Sequence, residues 1–509
     1  MPNRIWVDVE DLFQYSAFNA RPSGIQRIQF ELCRSLALMP ETRDRVGFVR
    51  HASAQDSFQT IPFAEIDALH ARLTASAAAV PARGADAAPA APTPALAVVA
   101  TGSKALGGLA RRVAYRIPLD LRTPLVGLFK AQRETVRAAG KLTGATAGRV
   151  VKLRTTIAHG RIVVPATDGL TVAAFDTSVG AGDVLLILGS PWFHPFYGQM
   201  VTRVRDKWQM RIALLIYDII PLLRPEWCDR NLVDRFEVWA CGMLSLADTL
   251  LTISQASAHD ILSVADRRNL PLRTTPSVIP IGTGFSRPVG HPDRTVPVVR
   301  TDRLPPARSY VLMVSTIEAR KNHALLFRVW RRLLDEMPAD RVPTLVFAGR
   351  VGWLVADLMQ QLTNAHYLDG KILLVDDPQD GELERLYDGC LFTVFPSFYE
   401  GWGLPVTESF SFGRPCIISN ASALPEAGGT LARYFDPENG TEAYRVIRNA
   451  IEDRDGTEAW SGRVAAEFRP VSWDESARAI LRSIDHNRNR LPVGDVADDQ
   501  TLPRRIGRA

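Results

Sequence analysis

The sequence predicts an α/β protein built from two doubly wound parallel sheets, and three observations lead there. Continuous apolar runs of strand length alternate with stretches of helical periodicity in the first half, and again, more cleanly, from Tyr310 onward. A Pro/Arg/Asp-rich segment, HPDRTVPVVRTDRLPPAR, separates the two series and has linker composition. Between Thr74 and Pro165 the first series is interrupted by a segment of different character, which reads as an insert.

The first element, RIWVDVEDLF, reads as a strand. After a polar turn, NARPSGIQRIQFELCRSLALM places Ile25, Ile28, Leu32 and Leu36 at helical spacing. Ser23 and Gly24 at its start predict a strand, a tight glycine turn, and a helix whose free amides face the turn. A short unit follows, VGFVRHA and then a helical EIDALHARL. The insert opens with ASAAAVPARGADAAPAAPTPALAVV, which lacks the large side chains needed to offset ordering entropy. Its later part is basic and intermittently amphipathic, so residues 100–160 are a candidate for peripheral contact with an anionic membrane surface, with solvated helices or disorder as the alternative.

Alternation resumes with DVLLILGS, apolar enough to be buried on both faces. Helical FYGQMVTRVRDKW, strand and loop RIALLIYDIIPLL, helical RFEVWACGMLSLA, strand TLLTIS, a helix from Ala256, and SVIPIG complete the first half. The second half runs YVLMVST, helix ALLFRVWRRLLDEM, strand TLVFAGR, helix VADLMQQLTN, strand KILLV, helix DGELERLYDGC, strand LFTVFPS, helix PVTESFSFG, strand PCIIS, YFDP and helix EAYRVIRNAIEDR. These readings divide the chain into a Rossmann-like domain at 1–295 carrying an insert at 74–165, a second at 296–470, a helix at 471–486 and a loose tail at 487–509.

Composition narrows the function classes. At 509 residues, 46% hydrophobic and 23% charged, the chain is an ordinary globular protein. The longest apolar runs, such as residues 211–223, fall short of the roughly 20 residues that span a bilayer and enclose Asp218. The acidic start MPNRIWVDVEDLF is unlike a secretory signal, and the expected location is the cytoplasm. Five scattered cysteines without a CxxC pair argue against structural disulfides and a zinc site. The net charge is +5, but the insert holds 14 Lys+Arg against 3 Asp+Glu, a net of +11, and leaves −6 for the rest. A nucleic-acid-binding role for the whole chain therefore loses its support.

Polar clusters stand at the predicted carboxyl ends of second-half strands. They comprise Thr316 to Asn322, Gly349 with Arg350, Asp376 with Asp377, and the stretch FYEGWGLPVTESF at 398–410. In a doubly wound sheet such ends converge on one crevice. Arg320 and Lys321 precede a helix, where paired cations suit a diphosphate or simply a solvated turn. Pro405 suits a helix start and Gly413 a helix end, which puts Glu408 on the first turn beside the loop residue Glu400. Two carboxylates so placed can accept from vicinal hydroxyls of two sugars either side of a phosphate, or else Glu408 serves the helix dipole and Glu400 is only exposed. Asp376 and Asp377 read as a helix-capping loop rather than a metal site.

The pair Glu400 and Glu408, with seven residues between them inside FPSFYEGWGLPVTESFSFGRPCIIS, resembles the signature of family 4 retaining glycosyltransferases with the GT-B fold, in which two Rossmann-like domains face across a cleft. VLMVSTIEARKNHALLFRVW, TLVFAGRVGW and SNASALPEAGG resemble further elements of the donor domain. RPSGIQRIQFEL, YDIIPLLRPEW, TISQASAHDI and VIPIGTGF resemble the acceptor domain of bacterial members that build surface polysaccharides or lipopolysaccharide, often mannosyltransferases. The resemblance covers roughly residues 1–70 and 166–485.

It implies that Glu408 holds the nucleotide ribose and Glu400 the donor sugar, with Gly401, Trp402, Gly403 and Leu404 shaping the loop beside it. Lys321 and Arg320 would stabilise the diphosphate, Gly24 would admit phosphates from the acceptor-domain side, and Asp218, Tyr217 and Ser254 would lie toward the acceptor. Thr316 stands where many members have an Arg, so Arg320 or Arg350 would supply a second cation; Tyr217 replaces a common His, and Thr430 a common Asp. The implied reaction is hexose transfer, mannose first, from a GDP- or UDP-sugar to a glycan or lipid-linked acceptor, with no further cofactor and no metal. The C-terminal helix would cross back to the first domain, with Trp473 packed between the domains. Alternatives are a sugar-nucleotide epimerase or other enzyme on this fold, and a non-enzymatic surface-assembly scaffold.

Overall fold

Strands such as VLLI at 184–187 and CIIS at 416–419 offer almost nothing to water, so they are stable only in the middle of a sheet covered on both faces. A computed structural model, which describes residues 3–19, 21–51, 58–74, 175–194, 196–284 and 304–488, places them there. Nearly all of the insert with its candidate membrane stretch, most of the linker around residue 300, and the tail from 489 lie outside the described residues.

The first sheet contains β1 (Ile5–Asp8), β2 (Val46–His51), β3 (Phe58–Ile61), β4 (Val184–Ile187), β5 (Arg211–Leu215), β6 (Thr249–Thr252) and β7 (Ser277–Val278). Their spatial order is β3-β2-β1-β4-β5-β6-β7. All neighbours are parallel except β3, which runs antiparallel to β2. The second sheet contains β8 (Tyr310–Val314), β9 (Thr344–Ala348), β10 (Ile372–Val375), β11 (Thr393–Phe395), β12 (Cys416–Ser419) and β13 (Arg433–Phe435), in the order β10-β9-β8-β11-β12-β13 and wholly parallel. Both sheets follow the doubly wound order, with the chain reversing direction next to β1 and β8. The crevice beside each reversal is where ligands bind in such folds.

The period of two along each strand divides the core into two layers per sheet. Ile5 and Val7 enter one cluster and Trp6 the opposite one; Val311 and Met313 enter one and Tyr310 and Leu312 the other. The helix His323–Glu336 buries Leu325, Leu326, Val329, Trp330 and Leu333, an apolar stripe at helical spacing. The C-terminal helix Trp473–Arg488 packs on helix Gly24–Leu38 and on β6, and its Trp473, Ala477, Ile480 and Ile484 belong to the first sheet's core. Trp473 lies so close to Gly282 that no side chain fits there. It is thus a core residue of the first domain and not a spacer between domains.

Two elements differ from the expectation. The opening segment is not one strand and a turn, since a helix, Glu10–Phe18, stands between β1 and Gly24. The Asp8 carboxylate accepts from the Glu10 amide at 3.0 Å, a local bond that ends the strand and starts the helix. The short edge strand β3 also has no counterpart in the sequence reading. The two Rossmann-like halves belong to one compact unit and line one cavity together, as expected of two such domains meeting across a cleft. Among the described residues, no helix is long and apolar enough to cross a membrane.

Candidate active site at the interdomain cleft

Strand β8 ends at Val314 and its neighbour β11 at Phe395, so the loops that follow, Ser315–Asn322 and Pro396–Gly403, emerge side by side at the reversal point of the second sheet. They are tied together by the Phe398 amide donating to the Arg320 carbonyl at 3.0 Å and by Asn322 Nδ2 donating to the Pro396 carbonyl at 3.2 Å. Arg320 and Lys321 sit on a single 3-10 turn, Ala319–Lys321, and Asn322 takes a left-handed conformation (φ 59) that redirects the chain into helix His323–Glu336. Both cations consequently point at one carboxylate. Arg320 Nη1 donates to Glu400 Oε2 at 2.7 Å and Lys321 Nζ to Glu400 Oε1 at 2.6 Å. Glu400 is 8% exposed, so the alternative of a merely exposed side chain is excluded.

Burial alone would raise the Glu400 carboxyl, but the Arg320 and Lys321 charges together outweigh it and hold the group down at about 2. Lys321 is lowered, first by burial and then by the adjacent Arg320 charge, against the pull of Glu400. Because the folded value of Glu400 lies below its usual value of 4.5, the stability it confers is complete above pH 4.5 and is lost as pH falls through about 2. The urea midpoint of the protein is expected to drop across this window, and by less in a Glu400→Gln variant. Equal acid sensitivity of the two proteins contradicts the assigned ion pair.

Every candidate residue except Ser254 lines one cavity of about 460 Å³ between the two sheets' carboxyl ends. Glu408 lies on the second turn of helix Leu404–Ser411, one turn later than expected. It is not open to the cleft: Arg27 Nη1 of the first domain donates to its Oε1 at 2.6 Å, and the Tyr387 hydroxyl donates to its Oε2 at 2.8 Å. Gly24 is the first residue of helix Gly24–Leu38, with only Leu404 near its open face. Leu404 and Trp402 rest against the first domain's core, and Trp402 also against the second's. A Cβ on Gly401 would come 2.8 Å from the Tyr217 carbonyl oxygen, so glycine here permits the domains to touch. Gly403 is extended (φ 168), and its bareness makes room for Leu424.

Thr316 contributes a short side chain to the cavity, whereas Arg350 is engaged by Tyr15, Asn19 and Asp377. Asp218 lines the cavity from the first domain, its carboxyl raised by burial against the opposing Arg320 charge. Of the other two residues expected on the acceptor side, Tyr217 lines the cavity and Ser254 does not. Tyr217 donates its hydroxyl to the Leu188 carbonyl at 2.6 Å inside the first domain. Ser254 caps helix Gln255–Arg267 by accepting from the Ser257 amide at 3.0 Å, away from the cavity. Asp377 is not a helix cap either. It pairs with Arg21 across the cleft at 3.3 Å, while Gln379 and Glu382 form the capping box of the next helix.

Sequence reasoning missed Arg27 and Tyr387, and gave Glu318 no role of its own within the cluster at Thr316 to Asn322. Arg27 is three residues beyond Gly24 and therefore on the same helical face, which was a usable signal. Glu318 accepts from Arg320 Nη2 at 2.6 Å, and Arg320 Nη1 also donates to the Tyr399 carbonyl at 2.5 Å. Further bonds close the domains: Tyr399 to Asp260 at 2.7 Å, and the Glu426 carboxylate accepting the Gln255 and Ala256 amides at 2.7 and 2.8 Å.

Residues 300–464 match the family described as glycosyl transferases group 1. The Escherichia coli serotype-specific mannosyltransferase WbdA is 27% identical over 308 residues, which cover 57% of this chain and 35% of that protein. The chain thus spans about a third of WbdA's length. The E. coli O-antigen chain mannosyltransferase B is 29% identical over 278 residues, covering 54% of this chain and 70% of that one. Among solved structures, TarM superposes with a TM-score of 0.44 at 12% identity, over 60% of this chain and 55% of its own.

Proposed function

With a glycosyl transferases group 1 domain at residues 300–464 as the premise, we propose that the chain transfers a hexose, mannose first, from a nucleoside-diphosphate sugar to a glycan or lipid-linked oligosaccharide acceptor, with retention of anomeric configuration. The observation that carries this reading is the Glu400 carboxylate clamped between Arg320 and Lys321 in the same cavity as Glu408. The names of the two E. coli relatives support mannose and a surface-polysaccharide acceptor. The site works on the cytoplasmic side, where sugar nucleotides are available.

In this reading the nucleotide ribose lies toward Glu408 and the sugar toward Glu400, with the diphosphate between them. The bond from the sugar's C1 to the diphosphate oxygen breaks and its electron pair leaves with the diphosphate. The acceptor hydroxyl bonds to C1 from the same face and gives its proton to the departing phosphate oxygen. Lys321 meets the charge that develops there, and Glu400 orients both the sugar hydroxyls and the Lys321 ammonium. Asp218 would receive an acceptor hydroxyl, a role supported by its sharing the cavity with Glu400 from the first domain. The contacts that close the domains exclude water and so limit hydrolysis of the donor.

A thermal-shift panel of GDP- and UDP-sugars tests the reading. The cognate donor raises the melting temperature by mass action and, with an acceptor extract, yields product together with nucleoside diphosphate. Absence of both with every donor refutes the reading, and donor turnover without acceptor points to an epimerase instead.

A further inference from the structure

The diphosphate of a sugar nucleotide carries two negative charges and gains a third as the bond to C1 breaks, and the second domain supplies it with fewer uncommitted cations than the resemblance implies. Thr316 stands at the strand end where an Arg would be looked for. Arg320 already serves Glu318, Glu400 and the Tyr399 carbonyl. Arg350 is held by Tyr15, Asn19 and Asp377. Lys321 therefore needs a partner from elsewhere.

Arg27 lines the same cavity from the first domain. Its guanidinium lies 2.6 Å from Glu408 and 3.8 Å from Asp380. Glu408 accordingly has one oxygen on Arg27 and the other on Tyr387, so it can take a ribose diol only if one of them yields. Tyr387 is fully buried and stacked on Phe412 at 5.5 Å between ring centroids, which fixes its hydroxyl. Arg27 reaches Glu408 across the domain boundary on a long side chain with more rotatable bonds than the ring-stacked tyrosine, so of the two it is the one that can yield.

The covalent order of a sugar nucleotide puts its phosphates between the ribose at Glu408 and the sugar at Glu400. A guanidinium released from Glu408, with Asp380 still 3.8 Å away on one side, thus has the phosphate oxygens within the reach of its long side chain, and its planar fork suits them. Building on the proposed function, we infer that Arg27 is the second diphosphate cation, parked on Glu408 until the donor ribose displaces it. The exchange balances charge: the carboxylate trades a guanidinium for a diol, and the guanidinium trades the carboxylate for phosphate. Because Arg27 and Glu408 belong to different domains, the same exchange couples donor binding to the contact between them.

Calorimetric titration of the full chain with GDP and UDP, each beside its nucleoside, tests this. Arg27→Gln is expected to lose about tenfold or more in affinity for the diphosphate. Affinity for the nucleoside, which has the diol and no phosphate, stays within about threefold or increases, since its competitor for Glu408 is gone. Arg27→Lys, which keeps the charge without the fork, recovers part of the diphosphate affinity and serves if the Gln variant does not fold. Equal changes for diphosphate and nucleoside make Arg27 only a domain latch and overturn the inference, as does an unchanged diphosphate affinity. Wild-type protein that binds neither diphosphate overturns the proposed function and this inference together, a result distinguishable from the other two.

Discussion

The Glu400→Gln variant is expected to lose about a thousandfold in transfer rate. The amide keeps the shape of the side chain but removes the charge that Arg320 and Lys321 share. Arg320 retains Glu318, so it stays put. Lys321, already lowered by burial and by Arg320, loses the carboxylate charge bonded to its ammonium and sheds its proton more readily. The substitution therefore exchanges one of the two charged acceptor oxygens facing the sugar for an NH2 donor and weakens the cation for the leaving group in one step. Steady-state kinetics from pH 6 to 9 check this, since any residual activity of the variant should fall with rising pH earlier than that of the wild type. A rate within about threefold of wild type sets aside Glu400 as the sugar-end group.

Lys321→Ala is expected to lower kcat by about a hundredfold to a thousandfold while nucleoside affinity changes little. Its ammonium is placed for the phosphate at the breaking bond, not for the ribose. Glu400 keeps its bond to Arg320 in this variant, so the loop after β11 retains one of its two anchors and the fold is expected to persist. Single-turnover kinetics separate the two effects. A loss confined to donor binding, with the chemical step unchanged, would make Lys321 a binding residue only.

The central strands of both sheets were legible because burial on two faces leaves a continuous apolar run, as in VLLI and CIIS. Helix His323–Glu336 was legible from its apolar stripe. The helix Glu10–Phe18 was not, since WVDVEDLF alternates like a strand and the bond from the Glu10 amide to Asp8 that ends the strand depends on local geometry. The edge strand β3 is half-buried and pairs only with β2, so little in FQTI marks it.

At the site, Glu400, Arg320 and Lys321 could be read because they follow adjacent strands of one sheet. Arg27 went unread although it shares a helical face with Gly24, because its partner, Glu408, is 381 residues away. Gly401 is glycine on account of Tyr217 and Asp218 in the other domain, a reason absent from its own neighbourhood. Ser254 illustrates the opposite error, in which a residue in a resembling segment has a purely local task.

The central claim is that the cleft holding Glu400 and Lys321 moves a hexose from a nucleoside-diphosphate sugar with retention. Its most direct test is the anomeric configuration of the product formed from an α-linked donor such as GDP-mannose, read from the one-bond carbon–proton coupling at C1, alongside the nucleoside diphosphate released. An α-linked product formed in equal amount with the released diphosphate, and absent with Glu400→Gln, is the result predicted. A β-linked product, or no diphosphate release with any sugar nucleotide, would contradict it.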